Sequence, residues 1–124
     1  METINISATN CTPEVYLGED AKLVIRGRSL PENAAKFYQP IIDQAEKFTM
    51  ASLMVEINME YMNSASSKKI LHLLKILDAN NNIKELTINW IYETGDEDTL
   101  EHGQIYEELL LKAHFRYHEC AENS

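Results

Sequence analysis

Two stretches of the chain alternate apolar and polar residues with a period of two. In the first, Val55, Ile57, Met59 and Tyr61 fall on one face, and Glu56, Asn58 and Glu60 on the other. In the second, Leu86, Ile88, Trp90 and Tyr92 oppose Glu85, Thr87 and Asn89. Strands buried on both faces read as continuous apolar runs, so this alternation predicts a sheet with helices on one face and solvent on the other. Between the two strands, Ile70, Leu73, Leu74 and Leu77, widened by Leu71, repeat at helical spacing and predict a helix over about Ser64–Ala79. Asn80, Asn81 and Asn82 end it. Strand, helix and strand of this size form a βαβ unit with a right-handed crossover.

The rest of the chain fits around that unit. Short strands are predicted at Thr3–Ala8, Glu14–Leu17 and Lys22–Arg28, separated by Thr12-Pro13 and by the turn Gly18-Glu19-Asp20. Ser29 and Glu32 have capping-box spacing with Pro31 between them, which predicts a helix start. Ala35, Tyr38, Ile41, Ile42, Ala45 and Phe48 continue the helical pattern, and Pro40 predicts a kink or a break within it. A last helix is predicted over about Asp96–Lys112, opened by Asp96, Glu97 and Asp98, with Leu100, Tyr106, Leu109 and Leu110 turned inward. A strand near Phe115–His118 closes the order βββαβαβαβ: one α/β domain over residues 1–124, its mixed sheet covered by helices mainly on one face.

Composition narrows the function classes. The 124 residues carry a formal net charge of -9, and no Lys/Arg patch tracks a groove, which argues against nucleic-acid binding. The start METINISATN lacks the basic and apolar regions of a signal peptide, and no apolar run approaches a membrane span. Cys11 and Cys120 sit near opposite ends without metal-ligand spacing, as expected of a reduced cytoplasmic protein. Gly27 is the only glycine between Gly18 and Gly95, and no phosphate-cradling glycine signature occurs, so no nucleotide cofactor is expected. His102, His114, His118 and Cys120 read as surface groups rather than metal ligands. Nothing matches a nucleophile elbow, and the acids at 96–98 are explained by the helix start, so an enzyme is not expected.

One junction remains informative. The strand ending at Tyr61 runs into Asn63, Ser64, Ser66 and Ser67, where helix N–H groups converge and the dipole is positive. The cluster is a helix cap, an anion site or a phosphorylation switch. Asn63 or Ser64 serves as a cap on the first reading. Lys68 and Lys69 oppose the dipole, by about 0.3–1 kcal/mol each if they lie in the first turn. A phosphoryl group on Ser64 would reverse that balance, with Lys68 four residues on along the same face.

Three collinear segments, GRSLPEN (Gly27–Asn33), YMNSASSKKILHLL (Tyr61–Leu74) and INWIYETGDEDTLEHGQIYEELL (Ile88–Leu110), together with TPEV at Thr12–Val15, resemble the SiaC family of bacterial regulatory phosphoproteins. The resemblance covers nearly the whole chain. It implies a fold similar to STAS domains, the anti-sigma-factor antagonists that carry a phosphorylatable Ser or Thr at a strand-to-helix junction. It also implies a protein switched by a Ser/Thr kinase and a PP2C-type phosphatase, without enzymatic activity of its own. In the best-understood branch the unphosphorylated form activates a diguanylate cyclase and raises cyclic di-GMP. The phosphoacceptor carries over to Ser64, with Ser66 and Ser67 as alternatives. Partner contacts are expected around that helix and at Arg28, Ser29, Pro31, Glu32, Asn33 and Tyr61. The competing expectations are a constitutive binding module and, last, a small enzyme holding an anionic substrate.

Overall fold

The computed structural model describes residues 2–121. Strands β1 (Ile4–Ile6), β2 (Glu14–Gly18) and β3 (Lys22–Ser29) lead into α1 (Ala34–Lys47), β4 (Ser52–Met62), α2 (Ser64–Ala79), β5 (Glu85–Glu93), α3 (Glu97–Leu109) and β6 (His114–Cys120). The six strands lie side by side in chain order. The pairs β1–β2 and β2–β3 are antiparallel, and β3–β4, β4–β5 and β5–β6 are parallel. This is the mixed α/β order expected from the sequence.

Sequential order fixes where the helices go. Each parallel connection steps the same way across the sheet, and a right-handed crossover then puts its helix on the same face every time. Helix α1 packs on α2, while α3 rests on β5 and β6. The inward sets of the central strands, Leu53, Val55, Ile57 and Met59 with Leu86, Ile88 and Trp90, are buried under them. The opposite face is polar and open: Arg26 contacts Glu14 at 2.7 Å and Glu56 at 3.8 Å, and His118 Nε2 lies 3.0 Å from Asn89 Oδ1. Because the strand order never reverses, the sheet has no switch-point crevice of the kind that holds nucleotides in doubly wound folds.

The α2 boundaries match the apolar period, and its C-terminal asparagines do more than stop it. The Asn80 amide donates to the carbonyls of Ala45 (3.1 Å) and Phe48 (2.9 Å), and Asn82 donates to Phe48 (3.2 Å). The end of α2 thus satisfies orphan carbonyls at the end of α1.

Five expectations need correction. Ser29 does not cap α1; it is the buried last residue of β3, and Asn33 is the cap, accepting the Lys36 N–H at 3.1 Å. Proline disfavours helical backbone at the residue before it, which moves the start past Pro31. Pro40 does not break α1, which runs from Ala34 to Lys47 as one helix. Pro40 is exposed, so the carbonyl it leaves unpaired is on the solvent side. Ala34, not Ala35, is buried, and Leu109 is exposed rather than inward. Tyr61 leaves the inward row: Gly27 pairs with Met59 but Arg28 pairs with Tyr61, so Glu60 is an extra residue in β4. This bulge, where Gly27 has φ +119°, resets the alternation. Glu60 and Tyr61 both face solvent, and Met62 turns in against the core.

Candidate functional site

The bulge and the parallel pairing of β3 with β4 bring their two C-terminal ends together. Ser29 pairs with Met62, and the Asn63 N–H donates to the Ser29 carbonyl at 3.0 Å. The segment Arg28–Asn33 therefore flanks the start of α2. Arg28 lies 3.5 Å from Glu60, and its guanidinium sits 5.7 Å from the centre of the Tyr61 ring. This pairing presents a cation and an aromatic ring together on the exposed rim. Pro31 is half-buried, and Glu32 and Asn33 are exposed beside it.

Asn63 is the N-cap of α2, its side chain accepting the Ser66 N–H at 2.9 Å. Its carbonyl accepts the Ser67 N–H at 2.9 Å, the first bond of the helix. This capping uses no serine hydroxyl. Ser64, the first helical residue, is exposed, and so is Lys68 one turn further on.

The other two serines have different surroundings. Ser66 is fully buried and accepts from Ser29 Oγ at 2.7 Å; Ser29 Oγ in turn lies 2.6 Å from the Tyr38 hydroxyl. This three-hydroxyl cluster ties β3, α1 and α2 together beneath the junction. Burial pushes the Tyr38 phenol up, with partial offset from the serine hydrogen bonds. Ser67 is half-buried and points the other way. Its hydroxyl lies 2.7 Å from His102 Nε2 and 2.6 Å from the Tyr106 hydroxyl, which also donates to the Ser67 carbonyl at 2.6 Å. Burial raises the Tyr106 pKa to about 12 and lowers that of His102. Both groups are therefore neutral near pH 7 and serve as hydrogen-bond partners. Of the three serines, Ser64 alone combines exposure with a hydroxyl free of these networks.

The sequence reading put Tyr38 and Tyr106 on apolar helix faces and His102 at the surface, but His102 is half-buried, and the hydrogen-bonding roles of all three were not read. A signal existed: Ser66 sits four residues before Ile70 on the inward stripe, so its hydroxyl had to find a buried partner, and His102 and Tyr106 are one turn apart on α3. His102 and Tyr106 lie 35 and 39 residues from Ser67, and the Ser29 that joins Tyr38 to Ser66 lies 37 residues before Ser66, beyond any local pattern. The histidines near the end do not converge. In a strand, His114 and His118 are separated by roughly 13 Å of backbone. Among the described residues no group of three or more His, Cys, Asp or Glu side chains is placed to share a metal ion. No described helix is long and apolar enough to cross a membrane.

The fold and the junction define a one-sided α/β domain with an exposed hydroxyl, Ser64, directly after the cap of α2 at the end of a parallel strand. The family model described as SiaC family regulatory phosphoprotein matches residues 6–120, and the chain belongs to that family. The fold is that of solved SiaC structures. Apo-SiaC from Pseudomonas aeruginosa superposes with a TM-score of 0.78 at 24% identity, over 95% of this chain and 99% of that one. SiaC in the crystal structure of the diguanylate cyclase SiaD with its activator, from the same organism, gives a TM-score of 0.80 at 23% identity, over 94% and 99%. No curated protein matches the chain.

Proposed function

We propose that this protein is a cytoplasmic regulator, without catalysis of its own, whose binding to a partner enzyme is switched by phosphorylation of Ser64. The partner is a diguanylate cyclase, bound by the unphosphorylated form. A Ser/Thr kinase and a PP2C-type phosphatase set the state. The observation that carries this reading is the division of labour at the junction: Asn63 does the capping, Ser66 and Ser67 are tied into side-chain networks, and Ser64 is exposed.

Magnitudes favour blocking over refolding as the mechanism. A charge of about -1.5 to -2 at the helix start gains about 0.3–1 kcal/mol from the dipole at an exposed site, with Lys68 as a further attraction. That is too little to rearrange a buried hydroxyl cluster. The same dianion facing an apolar or acidic partner surface costs several kcal/mol. The phosphate therefore acts at the rim formed with Arg28, Tyr61 and the Pro31–Asn33 segment.

Intact-mass and peptide mapping after co-expression with the kinase tests the site. Ser64→Ala is expected to abolish incorporation, while folded Ser67→Ala retains it; modification persisting in Ser64→Ala refutes the assignment. Calorimetric titration of the cyclase then tests the switch. Ser64→Ala is expected to bind as the wild type does, and phosphorylated protein at least tenfold more weakly, about 1.4 kcal/mol. Equal binding by both forms would instead establish a constitutive module.

A further inference from the structure

Helix α3 carries five carboxylates, Glu97, Asp98, Glu101, Glu107 and Glu108, and no lysine or arginine. Its first-turn acids are explained by the dipole, and Glu107 accepts the Tyr117 hydroxyl at 2.7 Å, but Glu101 and Glu108 lie beyond the first turn, and Glu108 approaches the end where acids are disfavoured. On the same helix two large apolar side chains stand in solvent: Ile105 is 56% exposed and Leu109 is 48% exposed. They are four residues apart and so adjacent on one face, with Glu101 one turn before Ile105 and Glu108 three residues after it. The inward side of α3 is already used by Gly103, Tyr106 and the helix-capping Leu110, so this outer strip has no role in the core.

Leu111 extends the strip. It is 97% exposed, yet its backbone is held: Asp78 on α2 accepts the N–H groups of Leu111 at 2.8 Å and of Lys112 and Ala113 at 2.9 Å. A carboxylate that satisfies three consecutive amides fixes the turn after α3 with the leucine pointing out. Three apolar side chains displayed on rigid backbone, rimmed by carboxylates, match one kind of partner surface.

We infer that the outer face of α3, with Leu111, is a docking strip for a basic amphipathic helix of a partner protein. Apolar side chains at i and i+4 of that helix pack on Ile105 and Leu109, and flanking lysines or arginines meet Glu101 and Glu108. Charge complementarity selects this occupant: the charged side chains of α3 are all carboxylates, so an acidic or neutral apolar segment would leave Glu101 and Glu108 unpaired. The strip contains neither Ser64 nor its neighbours, and the inference does not depend on the phosphorylation switch.

The test uses unphosphorylated full-length protein and a fluorescein-labelled peptide of leucine, lysine and alanine with leucines at i, i+4 and i+7. A peptide of the same composition with the stripe scrambled is the control. The striped peptide is expected to saturate, with amide chemical-shift changes centred on residues 101–111. Ile105→Ser with Leu109→Ser should weaken it at least about tenfold, as for interface anchors. Glu101→Gln with Glu108→Gln should weaken it and flatten its salt dependence. All four positions are exposed, so melting temperatures should stay at the wild-type value and confirm folding. Equal binding of the scrambled peptide, shifts centred elsewhere, or full affinity in the Ile105/Leu109 variant overturns the inference. So does a dimer by sedimentation that this variant dissolves, because the occupant would then be a second copy of the chain.

Discussion

Gly103 is where α3 meets the sheet, and Gly103→Ala isolates the cost of that contact. In an open helix the change would stabilise by about 1 kcal/mol, because alanine restricts the unfolded backbone and favours helix. Here a Cβ would lie 2.7 Å from Trp90 Cε2 and Nε1 and 2.8 Å from its Cδ1. The indole cannot swing away. It is 1% exposed, its Nε1–H donates to the Thr99 carbonyl at 2.9 Å, and it meets Tyr106 edge-on with ring centres 5.4 Å apart. The helix must move instead, which strains the Ser67–His102 and Ser67–Tyr106 contacts at 2.7 and 2.6 Å. Overpacking a filled core costs about 1–3 kcal/mol, and the rigid neighbour puts this site at the upper end. Subtracting the propensity gain leaves a net loss of about 1–2 kcal/mol, a fall in Tm of about 3–8 °C. Urea unfolding followed by the fluorescence of Trp90, the single tryptophan, measures it. In a Trp90→Phe background, followed by circular dichroism, the same change should become neutral or stabilising. A Gly103→Ala protein as stable as the wild type would refute the reasoning.

Two further predictions concern the hydroxyl networks. Ser29→Ala removes the bridge between Tyr38 and Ser66 in a fully buried site and should cost about 2–4 kcal/mol by urea denaturation, since two buried groups lose a partner. Adding Tyr38→Phe should cost less than the sum of the two single changes, and strict additivity would show that the cluster is not coupled. For His102, burial lowers the folded-state pKa below the unfolded value near 6.5, so its contribution is complete above about pH 7 and is lost as pH falls through that value toward the folded one. The Tm of the wild type should therefore drop relative to His102→Gln between about pH 7 and pH 5, and a gap that stays flat or widens in favour of the wild type would contradict the burial.

Much of this protein is written in local pattern. Period-two alternation in Val55–Met59 and Leu86–Trp90 sets strand faces, because side chains of an extended chain point alternately to either side. The stripe Ile70, Leu73, Leu74, Leu77 sets α2 to the residue, because its only way to leave water is to lie on that sheet. The sequence left the cap open between Asn63 and Ser64, and the structure assigns it to Asn63 with Ser64 exposed after it. The tertiary structure decided what depends on distant partners. Tyr61 faces out because β3 and β4 slip by one residue at Gly27, which neither strand encodes by itself. Ser29 is a buried bridge rather than a cap because Ser66, 37 residues later, lies beside it. Ser64, Ser66 and Ser67 are chemically alike in sequence, and only the packing of α1 on one side of α2 and α3 on the other makes them different. A hydroxyl's availability depends on whether other groups already satisfy it, and those groups come from across the fold.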